Sequence, residues 1–168
     1  MSKPLPCFIL IGLPGSGKST LASQIINQNP HYKLISSDYI RQTLYGHYSI
    51  QGQWPQIETE ILRQIKTALQ TQNPVVYDAT NANHLYRIEL LQKLIAIALV
   101  QWIGLYLNIT LETCKQRNCD RLYPVPERII EAMAEDLAQH PPSKADGFAK
   151  VCAITQPITS SELGLILS

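Results

Sequence analysis

The stretch Gly12-Leu13-Pro14-Gly15-Ser16-Gly17-Lys18-Ser19 constrains this chain more than any other. An apolar run at 7–11 precedes it and a segment of helical spacing at 18–28 follows it. The pattern is G-x-x-x-x-G-K-[ST], and the position between a strand and a helix is the context that gives it meaning. Glycines let the backbone curl until successive N–H groups point into one anion-sized hollow, and the helix behind adds the positive end of its dipole. Lys18 then meets the β- and γ-phosphates of a nucleoside triphosphate as a point charge, while the Ser19 hydroxyl is a ligand for Mg²⁺. Gly12, Pro14, Gly15, Ser16, Gly17, Lys18, Ser19 and Thr20 are therefore the expected ATP-binding residues.

The rest of the chain alternates. Short apolar, β-branched or aromatic runs at 7–11, 33–35, 75–77, 101–107 and 150–154 read as strands, each bounded by turn or cap residues. Helical patterns lie between them at 18–28, 39–44, 56–70, 85–98, 111–122 and 127–139, with loops at 45–55 and 140–147. Strand and helix in regular alternation predict an α/β fold with a mainly parallel five-stranded sheet and helices on both faces. Of 168 residues, 45% are hydrophobic and 16% charged, enough apolar material for one core, so a single domain over 1–168 is expected.

An ATP site needs acidic partners, and two follow predicted strands. Asp38, in Ser36-Ser37-Asp38-Tyr39-Ile40-Arg41, sits at the carboxyl edge where ligands bind in open α/β sheets. It is placed to accept the proton of an attacking hydroxyl, or to cap the helix that follows. Arg41, three residues on, shares its helix face and either grips an anionic part of the acceptor or lies solvated. Asp78 closes the strand Val75-Val76-Tyr77 in the manner of a Walker-B aspartate, a carboxylate for a metal-bound water, while Asp78 or Asn81 could instead cap a helix. Ser19 and Asp78 are the expected metal-site pair, and Asp38, Arg41, Asp78 and Asn81 the expected acceptor-side residues.

Lys115, Arg117, Arg121 and Arg128 form a cationic group. On a helix over 111–122, Arg117 and Arg121 are i and i+4 and share a face; with Pro124 and Pro126 behind them, 111–126 resembles a mobile lid whose guanidinium forks meet phosphate. The competing reading is a solvated face paired with Glu112 or Asp120. Cys7, Cys114, Cys119 and Cys152 lack zinc-site spacing and read as reduced, mostly packed thiols. No apolar run reaches the roughly 20 residues of a membrane span and no signal-peptide pattern opens the chain, so a cytoplasmic protein without a membrane or obligate protein partner is expected.

Four blocks together resemble a known family, the P-loop kinases typified by polynucleotide 5′-hydroxyl kinases, with AAA-type ATP binding. They are Gly12 to Thr20, Ser37-Asp38-Tyr39-Ile40-Arg41, Asp78-Ala79-Thr80-Asn81, and Cys114-Lys115-Gln116-Arg117-Asn118-Cys119-Asp120-Arg121 leading to Val125 and Pro126. The resemblance covers residues 5–156 and implies a three-layer P-loop kinase fold with a helical lid, ATP and Mg²⁺ as cofactors, Asp38 as general base, Arg41 as an acceptor contact, and Arg117 and Arg121 on the phosphates. It implies a hydroxyl acceptor, with the 5′ end of a nucleic acid or oligonucleotide first. Kinases of small molecules or proteins share the architecture, and a nucleotide-binding ATPase without acceptor is the third reading.

Net charge is +1, which gives no global field for nucleic acid. Outside loop and lid the candidate cations are Arg41, Arg63, Lys66 and Arg87, and only Arg63 and Lys66 are close in sequence. A nucleic-acid acceptor would thus be read at its terminal one or two nucleotides. Apparent affinity for a single strand should then fall with salt at a log–log slope of about −1 to −2, at roughly 0.7 per phosphate contact. A slope steeper than about −4 in a salt titration would reveal a longer track.

Overall fold

Strand β1 (Pro6–Ile11) is apolar along its length because both of its faces are covered. Cys7, Ile9 and Ile11 point into one core cluster, Phe8 and Leu10 into the other. Such doubly buried strands belong to parallel sheets. In the computed structural model, which describes residues 6–167, β1 is the centre of a five-stranded sheet. Its companions are β2 (Lys33–Ser36), β3 (Val75–Asp78), β4 (Gln101–Leu107) and β5 (Lys150–Ile154), in the order β2-β3-β1-β4-β5. Every pair is parallel, so the sheet is wholly rather than mainly so. The ends of the expected domain, residues 1–5 and 168, lie outside the described residues.

Helices form the outer layers. On the face of Ile9 lie α3 (Trp54–Gln70), α4 (His84–Ile97) and α6 (Glu127–Gln139); on the face of Phe8 lie α1 (Lys18–Gln28) and α7 (Ser160–Leu167). In α3 the buried residues Ile57, Ile61, Ile65 and Ala68 recur at helical spacing and make one apolar stripe. Two shorter helices, α2 (Ser37–Tyr45) and α5 (Leu111–Cys119), border the carboxyl edge of the sheet. Strand order reverses about β1, with β3 on one side and β4 on the other, so the loop after β1 opens at the switch point where such sheets bind ligands.

Several boundaries differ from the sequence expectation. Helix α2 starts at Ser37, immediately after β2, because the Ser36 side chain caps it by accepting from the Tyr39 N–H at 3.4 Å. Asp38 is therefore not the cap. Likewise neither Asp78 nor Asn81 caps α4; the Asn83 carboxamide oxygen does, accepting from the Tyr86 N–H at 2.8 Å. The helix expected over 111–122 stops at Cys119, so Arg121 is not on a helix face with Arg117. Asn118 ends it: its side chain donates to the Val125 carbonyl at 2.8 Å and accepts from the Val125 N–H at 2.9 Å, folding 120–125 back against the helix end. Pro124 and Pro126 then disfavour helical backbone before them. A 3₁₀ turn at Lys144–Asp146 and helix α7 had no counterpart in the sequence reading.

Arg87 is also relocated. It is 1% exposed, bonded through Nε to Asp146 Oδ2 at 2.9 Å and through its terminal nitrogens to the carbonyls of Ala82 and His140, both at 2.6 Å. It pins the turn after β3 to the loop after α6 and offers nothing to nucleic acid. Arg63 is engaged as well, held by Glu60 at 2.7 Å. Of the four cysteines, Cys7 and Cys114 are buried, Cys152 half-buried and Cys119 exposed. Removing one partner of a buried ion pair leaves the other charge stranded, a loss of about 3–5 kcal/mol. Asp146→Ala should show that loss in urea unfolding, and Arg87→Leu with Asp146→Leu should recover only part of it because the Ala82 and His140 carbonyls lose their donor; a loss below about 1 kcal/mol for Asp146→Ala would mean that water enters the site.

Candidate active site

The loop between β1 and α1 is held from three directions. The Gly12 N–H donates to the Thr80 carbonyl at 3.0 Å, tying the loop to the turn after β3. Gly15 has φ of +82°, and a Cβ there would stand 2.5 Å from the Cys114 carbonyl oxygen of α5. Gly17, at φ of +97°, is the residue from which α1 starts. Only glycine takes these conformations at such close approach without strain. Inside the loop the Ser16 hydroxyl is buried without a hydrogen-bond partner. Gly12 packs behind the loop against Ser16, while residues 14–20 line a cavity of about 1220 Å³ at the carboxyl ends of the strands. That exceeds the roughly 300–1,000 Å³ of a usual single-ligand site.

Lys18 is buried, and its ammonium donates to the Leu13 carbonyl at 2.8 Å. Burial pushes its pKa down to about 8, against the attraction of Asp78, Cys114 and Asp38. Asp78 faces it, also buried, and is moved the other way: loss of solvent raises its pKa, while the Ser19 hydroxyl and Lys18 partly restore the charged form. Ser19 donates to Asp78 Oδ2 at 2.7 Å, so the two expected metal-site residues are in direct contact. No group of three or more His, Cys, Asp or Glu residues that could by itself hold a metal ion stands among the described residues. One hydroxyl and one carboxylate fit Mg²⁺, which keeps its waters and takes most other ligands from substrate phosphates.

Asp38 and Arg41 also line the cavity, one turn of α2 apart and 3.1 Å from each other. The Asp38 carboxylate is 54% exposed and the Arg41 side chain 15%, so the acid looks into the cavity and the arginine is sunk in its wall. Ser36 and Asp78 are register partners on β2 and β3, which brings the start of α2 beside the metal-site pair. Asn81 lines the cavity too, but its amide is spent on the fold, donating to the Leu10 carbonyl at 2.7 Å from a left-handed backbone at φ of 45°. The side-chain Oδ1 of Asn81 is buried and unpartnered, while its backbone carbonyl accepts from Arg87 at 3.2 Å.

Arg117 and Arg121 both border the cavity although only Arg117 is helical. Arg117 donates to the Gly15 carbonyl at 3.3 Å, and the charge of Arg121 is felt at Lys18. Lys115 is not part of this group: it pairs with Glu131 and, at 3.4 Å, with Glu127 on α6, rather than with Glu112 or Asp120. Arg128 is exposed and does not border the cavity. Sequence reasoning missed the aromatic part of the walls, namely Tyr48, Trp54, Tyr77, Tyr86 and Tyr123. Tyr48 and Trp54 had a sequence signal in the Tyr/Trp content of the stretch leading into α3, whereas Tyr77, Tyr86 and Tyr123 come from β3, α4 and the turn after α5 and had none.

The AAA domain family matches residues 8–140. No curated protein matches the chain. A chain of the Pnkp1/Rnl/Hen1 RNA repair complex superposes with a TM-score of 0.70 at 21% identity over 83% of this chain, which spans 46% of that one. A gluconokinase from Sinorhizobium meliloti gives 0.58 at 18% identity over 98% of this chain and 94% of that one. A fungal RNA kinase gives 0.59 at 17% identity, covering 95% and 79%. At these identities the likeness is one of fold, that of a P-loop kinase. No helix among the described residues is long and apolar enough to cross a membrane.

The depressed Lys18 pKa is directly measurable. In ¹³C-labelled lysine spectra one resonance should titrate with a midpoint near 8, below the ordinary 10.5. ATP should move that midpoint upward, because polyanionic phosphate favours the ammonium form. Titration of every lysine near the ordinary value would show that the Lys18 ammonium is solvated.

Proposed function

The chain belongs to the AAA domain family, and from that premise we propose that it is an ATP-dependent phosphotransferase acting on a hydroxyl, with the 5′-hydroxyl of a nucleic acid or oligonucleotide as acceptor. The carrying observation is two groups of residues on one cavity: Lys18 with the Ser19–Asp78 pair, and Asp38 bonded to Arg41. A cavity larger than one ligand needs, with an exposed carboxylate among its lining residues, supports transfer to an acceptor over hydrolysis. In this reading 1–168 is one kinase domain with 111–126 as its lid, working in the cytoplasm.

The loop N–H groups and the start of α1 hold the triphosphate, with the Lys18 ammonium on its β- and γ-oxygens. Ser19 and Asp78 would hold Mg²⁺, which would supply positive charge to neutralise the phosphates. Asp38 accepts the proton as the acceptor oxygen bonds to the γ-phosphorus and the bond from that phosphorus to the β-bridging oxygen breaks. ADP leaves, and Asp38 returns the proton to solvent. Arg41 holds the acceptor through its nearest anionic group. Arg117 and Arg121 face the charge spreading over the transferred group, where planar guanidinium forks match its oxygens.

The RNA kinase and RNA repair likenesses support a nucleic-acid acceptor. A small-molecule acceptor is the second reading, favoured by the shortage of free cations once Arg63 and Arg87 are engaged and by the likeness to a gluconokinase. Transfer of labelled γ-phosphate to a panel of oligonucleotides, tRNA, nucleosides and sugars separates them. Asp38→Asn should keep nearly all ATP affinity and lose roughly 10²–10⁴-fold in rate, the loss expected for a general base. If ATP affinity falls together with the melting temperature, Asp38 is structural and the mechanism is wrong.

A further inference from the structure

Arg121 reaches the cavity from the turn after α5, with no helix to hold it in place. One anchor of that turn is the pair of hydrogen bonds between Asn118 and Val125. The other is aromatic. The Tyr123 ring stands edge-on to His47 at 4.5 Å and to Tyr48 at 5.8 Å, while His47 stacks on Tyr48 at 4.6 Å. Leu122, between Arg121 and Tyr123, is 83% exposed, so burial of that side chain does not hold the turn. Stacked and edge-on ring pairs of this kind attract beyond the area they bury.

The rings that meet Tyr123 come from the loop 46–53, which is itself braced. Gly46 ends α2 in a left-handed conformation, its N–H donating to the Gln42 carbonyl at 2.9 Å. The loop then folds around Tyr45: the Tyr45 hydroxyl accepts from the Gln53 N–H at 3.0 Å and donates to Gln56 Oε1 at 2.8 Å. Gly52 lies against the Tyr45 ring so closely that a Cβ would stand 2.1 Å from it. Within the loop His47 Nδ1 accepts from the Ser49 N–H at 3.2 Å and lies 2.8 Å from the Ser49 hydroxyl, which fixes the rotation of the imidazole. A rigid loop continuing from α2, the helix of Asp38 and Arg41, thus presents two rings to the turn of Arg121. Tyr48 and Tyr123 line the cavity, and His47 does not.

Resting on the kinase reading above, we propose that His47 is a positioning residue: through its contacts with Tyr48 and Tyr123 it clasps the turn of Arg121 to the loop after α2, and so holds the Arg121 guanidinium at the cavity. Because His47 stands outside the cavity lining, its effect on the reaction passes through the two tyrosine rings. The clasp keeps Arg121 in a fixed relation to the helix that carries Asp38 and Arg41.

His47→Ala removes both ring contacts of the imidazole, whereas His47→Phe keeps a ring and removes only the nitrogens. Transfer is measured to a 5′-hydroxyl oligoribonucleotide, or to whichever panel member accepts phosphate. His47→Ala should lower kcat roughly tenfold, the weight of two aromatic pairs, and leave the KM for ATP unmoved. His47→Phe should stay within about twofold of the native protein. In an Arg121→Ala background His47→Ala should add nothing. An unchanged kcat in His47→Ala, a full additional loss in the Arg121→Ala background, or equal losses in the two His47 variants overturns the proposal. Limited trypsin digestion followed by mass spectrometry reads the turn directly, since trypsin cuts after Arg121 only when the turn opens. His47→Ala should be cut there roughly tenfold faster than the native protein, with cleavage after Lys66, in the middle of α3, unchanged. Equal cleavage after Arg121 in both proteins, or an equal rise after Lys66, also overturns the proposal. Digestion needs no acceptor, so a native protein that phosphorylates nothing removes the kinase reading while this arm still decides whether His47 holds the turn.

Discussion

The site is organised around one turn of backbone that must carry its N–H groups inward, and that turn is kept only by contact with its neighbours. Gly12 is tied to Thr80, Gly15 lies against the Cys114 carbonyl, and Lys18 reaches back to Leu13. Left-handed backbone at Gly15 and Gly17 costs conformational entropy that local sequence does not return. The surrounding sheet and helix α5 supply the compensation. Because the loop touches both the turn after β3 and helix α5, a shift in either is transmitted to it.

Burial sets the electrostatics of the same region. Lys18 and Asp78 are both removed from solvent, and each is pushed toward its neutral form, Lys18 down and Asp78 up. Neither group alone would be comfortable there. Their mutual attraction and the Ser19 hydroxyl hold the charged forms in part, and a polyanion with its cation would complete the balance. Asp38 is treated differently: it stays half-exposed beside Arg41, so its carboxylate keeps contact with solvent.

A second buried pair does structural work outside the cavity. Arg87 and Asp146 connect the turn after β3 to the loop after α6, and Arg87 also holds the Ala82 carbonyl. That fixes the start of α4, where Tyr86 and the capping Asn83 border the chamber. An arginine that looked like a candidate nucleic-acid contact is therefore a brace, since its partner lies 59 positions away and no local pattern announces the pairing.

The phosphate loop, the five strands and the order of strand and helix were legible in sequence because they rest on local chemistry: glycine at left-handed positions, doubly buried apolar runs, and 3.6-residue spacing in α1 and α3. The i, i+3 contact between Asp38 and Arg41 was legible for the same reason, since both lie on one helix. What tertiary structure decided involves distant partners. Asn118 ends α5 by bonding to Val125 and so sends Arg121 to the cavity from a turn rather than a helix face. Lys115 is diverted to Glu127 and Glu131 by the packing of α5 beside α6. The aromatic wall joins Tyr77, Tyr86 and Trp54 from three separate elements. Spacing along a chain fixes which residues share a face, but whether a charge meets solvent, a counter-charge or a ligand depends on which other face is folded against it.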